Sequence, residues 1–502
     1  MILKPLWLGI DTHQEPVVYM RDTCPVCNSE GFNAQSRVQV TCGDRRVIAT
    51  LNVVHADWLA NDQVGLSEAA WRALSPENGD PLRFSHPPQV ASMAAVRGKI
   101  YGKPFAHRQL HQLMADVVAG HLTDVEIAAF ITVTSGPNLS DEEVVSMTQA
   151  MIAAGDRLRW GAEMVVDKHC VGGLPGNRTT PLIVAIVAAN GLVIPKTSSR
   201  AITSPAGTAD TLETMTPVEL DIASMRKVVK QEGGCFIWGG AAHLSPADDI
   251  LIRIERVLDI DSPSQLVASV LSKKAAAGAT HVVIDIPVGP TAKVRSREEA
   301  DHLAALLCTV GKEIGLTVLP LISDGRQPVG YGIGPALEAH DLLAVLHNKP
   351  GAPKPLRDRA VTLAGAILEA GGKARPGEGE ALARATLDSG AAWNKFHAIC
   401  LAQGGFREPG RASLVRPILS ERAGRIKAID NRRLAKVAKL AGAPASAQAG
   451  VKLEKFLHEP VARGDVLFEL HAQTQGELDY ALDYLQVNRD IYYVEDNRSA
   501  RG

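Results

Sequence analysis

From about residue 160 to 420 the chain alternates short apolar runs with longer Ala-rich segments. The short runs are EMVVD, LVIPKT, CFIWG, THVVIDIPV and LTVLPLIS, and the longer ones include TTPLIVAIVAANG and PSQLVASVLSKKAAAG. Short apolar runs bounded by turn residues read as buried strands, and the longer periodic runs as helices. Strand–helix alternation builds a sheet with helices on both faces, because each returning helix must bury its apolar stripe on the sheet. Binding sites in such sheets lie at strand ends and in the loops that follow. The centre of the chain is therefore an α/β lobe. Aromatics are only 4% of the chain, so its cores are built mainly from Ala, Val, Leu and Ile.

The flanks have a different texture. Residues 1–85 hold β-branched runs, VVYM, RVQVTC and RRVIATLNVV, between turn signals, which predicts a β-rich N-terminal domain. Cys24 and Cys27 form a C-x-x-C pair there, but a zinc site needs a second close pair, so the motif reads as a turn between strands. Residues 93–158 carry apolar residues at helical spacing, with Ser140 ahead of three acids as an N-cap. A helical lobe is expected there. Residues 424–502 pair a strand, DVLFELHA, with a helix, QGELDYALDYLQV, as a small α+β end domain.

The 502 residues carry a formal charge of -2, which argues against a general polyanion binder. No run approaches the ~18 apolar residues of a membrane span. Seven cysteines are few for such a length and fit reduced thiols, and the expected location is the cytoplasm.

Three segments can carry chemistry. The first is Asp167-Lys168-His169-Cys170-Val171-Gly172-Gly173-Leu174-Pro175-Gly176-Asn177-Arg178-Thr179-Thr180, between a strand and an apolar helix. A Gly-rich turn there aims backbone N–H groups and a helix dipole at an anion, and Lys168 and Thr179 add a charge and a hydroxyl. The spacing is not that of a P-loop. The second, Lys196 to Glu213, has six hydroxyl residues between 197 and 211 besides Thr208, with Arg200 among them. Hydroxyls can surround an oxyanion without neutralising it, which suits a phosphate that must act as a nucleophile. The third is Asp259 to Lys274, where Ser269 and Lys273 share one helix face and could hold the edge of a base. Each also has a plain reading: a Gly-rich turn, a Ser/Thr capping loop, a polar helix face. His169 could donate a proton near neutral pH or be structural. Asp261 reads as an N-cap or an acid. The run Gly330-Tyr331-Gly332-Ile333-Gly334 lacks the surroundings of a dinucleotide loop.

In this order, KH-x-x-GG followed by SR-A-I-T-x-x-x-GT-x-D-x-x-E resembles the thymidine/pyrimidine-nucleoside phosphorylase family from about Val96 onward. PGNRTT and KTSSRAITSPAGTAD are most similar to its long branch, which includes AMP phosphorylases and carries an extra N-terminal domain. The resemblance implies a helical lobe, formed by 93–158 and 246–276, facing a larger α/β lobe, 160–245 and 277–420, of the nucleoside phosphorylase/phosphoribosyltransferase type. It implies phosphate binding at Lys168, Cys170, Thr179, Ser198 and Thr208, although position 170 is usually Ser. It implies nucleotide binding at Gly173, Ser199, Arg200, Ala201, Ile202, Thr203, Ser204, Thr208, Ser269, Lys273 and Lys293. Asp261 matches the proton donor of the AMP-cleaving branch, with His169 the other candidate. The pyrimidine enzymes' base-binding Arg falls here near Ile254, flanked by Arg253 and Arg256. That departure points toward a substrate other than thymidine.

The reaction implied is phosphorolysis of an N-glycosidic bond in a nucleoside or nucleoside 5′-monophosphate. Inorganic phosphate is the co-substrate, with no metal or organic cofactor. The partners implied are small molecules and further copies of the chain in a dimer or larger homo-oligomer, not nucleic acid or membrane. Two alternatives stand beside it: a Mg²⁺-dependent phosphoribosyltransferase of similar fold, and a non-catalytic nucleotide-binding protein.

Overall fold

The computed structural model describes residues 2–12, 15–77, 80–201, 204–242, 244–260 and 262–495. The chain divides into two units, Met1–Val133 and Thr134–Gly502.

The first unit opens with six strands, β1 (Ile2–Trp7), β2 (Val17–Arg21), β3 (Arg37–Cys42), β4 (Arg45–Val54), β5 (Gln63–Leu66) and β6 (Leu82–Ser85). They close into a barrel in the order β1-β5-β2-β4-β3-β6. Closure removes the exposed edges that six short strands would otherwise present. Alternate residues of β3 point inward, so Val38, Val40 and Cys42 are buried. The helices α1 (Pro25–Glu30) and α2 (Glu68–Leu74) lie between strands. Cys24, Cys27 and Cys42 pack in the barrel's apolar core beside Val18, Met20 and Leu51. Beyond the barrel come α3 (Met93–Ile100), α4 (His107–Val118) and α5 (Asp124–Thr134).

The second unit starts with α6 (Asp141–Ala153). Ser140 caps it through Glu143 N, and the Glu143 carboxylate returns to Ser140 N at 2.9 Å. Five parallel strands follow: β7 (Val166–Cys170), β8 (Ile194–Ser198), β9 (Gly234–Trp238), β10 (His281–Val288) and β11 (Thr317–Asp324). Their order is β11-β10-β7 and β8-β9, joined by a parallel bridge between Val165 and Val193. All five short apolar runs of the sequence form these strands. The first is displaced: parallel pairing with β10 runs from Val166 opposite His281 to Cys170 opposite Asp285. Lys168, His169 and Cys170 therefore lie on the strand itself, where the sequence places them in the turn after it. Ladder bonds from β10 outweigh the local preference of polar residues for a loop.

Among the described residues the second unit also holds ten helices between α6 and the end region: α7 (Thr180–Ala189), α8 (Thr208–Glu213), α9 (Ile222–Glu232), α10 (Pro246–Leu258), α11 (Pro263–Ala276), α12 (Arg297–Glu313), α13 (Pro335–Leu346), α14 (Lys354–Ala370), α15 (Gly379–Asp388) and α16 (Ala391–Ala402). Every residue of α7 from Thr180 to Ala188 is buried. This helix is apolar on all sides because α14 and α16 cover the faces the sheet does not.

The end region adds β12 (Gly332–Ile333), β13 (Leu414–Leu419), β14 (Gly424–Ile429), β15 (Gly450–Leu453), β16 (Pro460–Val461), β17 (Val466–Ala472) and β18 (Tyr492–Glu495), with α17 (Asn431–Leu440) and α18 (Gln475–Val487). They form two sheets, β12-β15-β17-β13 and β16-β14-β18. Through β12, the Gly330–Gly334 run ties the end region to the lobe. The Asp341 carboxylate accepts the N–H groups of Tyr331 and Gly332, both at 2.7 Å, and fixes that run.

Candidate active site

The site is assembled at the carboxyl ends of β7 and β8, two neighbours in the parallel sheet. β7 delivers Lys168, which is 1% exposed. Its ammonium donates to Thr179 Oγ1 at 2.9 Å, at the start of α7. Burial pushes the Lys168 pKa down, while Asp285 favours its charged form against Arg178 and Arg359. A cation buried in this way is stabilised by an incoming anion, because the anion replaces the water it has lost.

The turn between β7 and α7 has positive φ at Gly172, Gly173 and Gly176. At Gly173 the space is also closed: a Cβ would lie 2.5 Å from Lys293 N. Gly173 and Lys293, 120 residues apart in the sequence, are thus adjacent in the fold.

β8 ends at Ser198. Its Oγ is buried and makes no hydrogen bond among the described residues, so one oriented hydroxyl is left for a ligand. The loop beyond is held from within. The Asp210 carboxylate accepts Ala201 N–H at 2.6 Å and Gly207 N–H at 2.8 Å. Arg200 is bound by Glu213, Glu219 and Asp210 and lies 4.9 Å from the Trp238 ring. Ser199 and Ser204 are exposed, and Ser204 Oγ donates to Ala206 O at 3.0 Å. Ile202 and Thr203 lie outside the described residues, as does Asp261.

Cys170 closes β7. Asn177 Nδ2 stands 3.3 Å from its Sγ and donates to Asp285 Oδ2 at 2.9 Å. Burial, with Asp285 beside it, pushes the thiol up to about 11. At neutral pH it is a neutral group that does not repel phosphate. His169 is partly buried. Burial and the nearby charges of Lys274, Lys196, Lys168 and Lys273 hold its pKa well below 6.5. It is therefore a neutral imidazole near pH 7.

On α11, Ser269 is partly buried and Lys273 is paired with Asp248 of α10. Burial pulls the Lys273 pKa down, but Asp248 outweighs it and the net shift is upward. Ile254 is 6% exposed within α10; Arg253 beside it is partly buried and Arg256 faces solvent.

Several further groups stand at this site. Behind the strands, Asp167 is paired with Lys274 at 2.8 Å and Lys196 at 3.2 Å, all three buried. Burial alone would raise the Asp167 carboxyl, but the two lysines outweigh it and hold it low. Arg359 Nη1, from α14, is buried without a hydrogen bond among the described residues, within electrostatic range of Lys168. Arg178 bridges the two loops. Asp167, Asn177, Arg178, Lys196 and Lys274 sit inside the segments singled out in the sequence, though without an assigned role; Asp285, Glu338 and Arg359 come from distant segments.

Comparison with known proteins identifies the family. Residues 162–393 match the model of a glycosyl transferase family a/b domain, 94–155 its helical bundle domain, and 425–492 the pyrimidine nucleoside phosphorylase C-terminal domain. A protein of Polaromonas sp., described as "Putative thymidine phosphorylase", is 58% identical over 97% of this chain and 95% of its own length. The chain belongs to the thymidine/pyrimidine-nucleoside phosphorylase family. Family members of the same description in Legionella pneumophila (strain Paris) and Parvibaculum lavamentivorans are 55% and 56% identical, each over 98% of this chain and over 95% and 98% of their own lengths. The fold extends further: an anthranilate phosphoribosyltransferase from Thermus thermophilus superposes with a TM-score of 0.53 at 22% identity, covering 62% of this chain and 99% of that one. Among the described residues no helix is long and apolar enough to cross a membrane.

Proposed function

We propose that this family member cleaves the N-glycosidic bond of a nucleoside or nucleoside 5′-monophosphate with inorganic phosphate, releasing free base and (deoxy)ribose phosphate. The observation that carries the reading is the pairing of Lys168 with Thr179 at the end of β7, beside the Ser198 hydroxyl at the end of β8, which has no partner among the described residues. One buried charge and several aimed hydroxyls hold phosphate while leaving an oxygen nucleophilic. That oxygen attacks the anomeric carbon, and the C–N bond electrons leave with the base. Positive charge grows on the sugar in the transition state, where the bound phosphate stabilises it. The departing base needs a proton or a fixed hydrogen bond. The neutral imidazole of His169 can supply only the latter near pH 7, and Asp261 is the other candidate for the proton donor.

The base-side residues in this reading are Ser269 and Lys273. Lys293 is the candidate for a substrate 5′-phosphate, supported by its packing against Gly173. No metal or organic cofactor takes part. The protein works in the cytoplasm on small molecules, as a homodimer or larger homo-oligomer.

The test is to incubate purified protein with thymidine, uridine, AMP and CMP, with and without phosphate, and quantify free base and sugar phosphate. Base release that does not depend on phosphate would overturn the reading. If the substrate is a monophosphate, Lys293→Ala raises KM for AMP more than for adenosine.

A further inference from the structure

We propose that Arg178 is a positioning residue for phosphate, setting the Thr208 hydroxyl as a donor and holding the second anion loop against the first. The proposal rests on the phosphorolysis reading and adds a residue that the family resemblance does not assign. Arg178 stands in the first loop, just before Thr179. Its guanidinium is shared three ways: Nε donates to Glu338 Oε2 at 2.6 Å, Nη1 to Thr208 Oγ1 at 2.7 Å, and Nη2 to Ala206 O at 2.8 Å. Glu338 belongs to α13, Ala206 to the second loop, and Thr208 to the start of α8. One side chain thus joins three segments of the lobe.

The direction of the bond to Thr208 matters. A hydroxyl has one proton to give and two lone pairs to accept with. When Arg178 donates to Oγ1, a lone pair is occupied by a group that cannot accept, so the hydroxyl must direct its own proton elsewhere. No described residue takes that proton. Lys168 does the same to Thr179. Two cations, one in each arrangement, make two hydroxyls into fixed donors for a single anion. Arg178 acts through Thr208 because its own charge is already matched. Glu338 is 2% exposed and also accepts from Thr211 Oγ1 at 3.2 Å. Lysine could keep the ion pair with Glu338, but its single ammonium lacks the planar fork that reaches Thr208 and Ala206 together.

A role in general stability would be blind to which substrate is measured. The test compares wild-type protein with R178K, T208V and the double variant R178K/T208V. Phosphate affinity is read by calorimetry on the full chain, and KM for phosphate and for nucleoside by steady-state kinetics. R178K is expected to weaken phosphate about tenfold while KM for nucleoside stays within about twofold. The double variant is expected to fall within about twofold of T208V alone, since both changes remove the same donor. Multiplying effects, unchanged phosphate affinity in R178K, or a parallel rise in nucleoside KM would each overturn the proposal. So would wild-type protein that binds no phosphate. If R178K does not fold, R178Q/E338Q removes both members of the buried pair, leaves no unpaired charge, and must show the same loss of phosphate affinity. Wild-type protein that binds phosphate but releases no base counts against phosphorolysis, while the binding comparison still decides the role of Arg178.

Discussion

Cys170 stands where the family resemblance implies serine, and its surroundings define what the thiol does. The thiol is neutral, close to Asn177 and Asp285, and a weaker donor than a hydroxyl. Cys170→Ser is therefore expected to lower KM for phosphate by about threefold with little change in kcat, because a stronger neutral donor enters the same space. A rise in KM in steady-state assays would contradict this. His169 leads to a prediction about stability and pH. Its pKa in the folded protein lies below 6.5, so the unfolded chain binds more protons as the pH falls through that value. Folding stability then rises with pH up to about 6.5 and levels off above it, as far as this group contributes. His169→Gln is expected to flatten that slope, read from urea midpoints between about pH 5 and pH 8. Of these residues, Lys168, Thr179, Ser198 and Thr208 were visible in the sequence as members of two hydroxyl-rich, Gly-containing segments that follow strands. Asp285 and Arg359 were not, because a lone charged residue in a strand or helix has no local mark of the cleft it faces.

Elements set where those residues stand. β7 extends through Lys168 to Cys170 because β10 offers partners along that length. The close approach of the Gly173 turn to the Lys293 backbone then determines how the anion turn sits. Gly173 has φ 79 and no room for a Cβ, so Gly173→Ala meets both backbone strain and a clash. The expected result is a KM increase for phosphate of about tenfold or more, with a smaller fall in thermal midpoint, because the strain is confined to one turn. Kinetics and melting of the same preparation check it. The helix behind the turn has a different sensitivity. Leu182 in α7 is fully buried in the main core, so Leu182→Ala is expected to cost about 2–5 kcal/mol in urea unfolding. The strand and helix sequence of this lobe was readable from apolar runs, since burial on both faces leaves continuous Val, Ile and Leu. The extra residues on β7 were not readable, because polar side chains in a strand are decided by the neighbour that pairs with them.

The whole molecule carries a charge of -2, and a global field does little to collect substrate. In the proposed reading, anion recognition rests instead on the buried Lys168 and on hydroxyls held by Lys168 and Arg178. Screening by salt is weak for buried charges, so kcat/KM for phosphate is expected to change by less than about threefold between about 20 and 200 mM potassium chloride. A steep fall measured across that range would point to surface steering. The β-rich start, the helical stretch and the α/β lobe follow from hydrophobic periodicity, which is a local property that the chain carries wherever it folds. The order of the parallel strands, the closure of the first six into a barrel, and the joining of β12 to the end region depend on pairing between distant segments. The same holds for the site. Sequence alone determined that two hydroxyl-rich, Gly-containing loops follow successive strands, because those residue types suit a bound phosphate. Only tertiary structure decided that Arg178 spans the loops to Glu338, that Gly173 rests on Lys293, and that Arg200 is held by its own carboxylates. The first two contacts join residues far apart in the chain, and their geometry exists only once the sheet has brought the strand ends together.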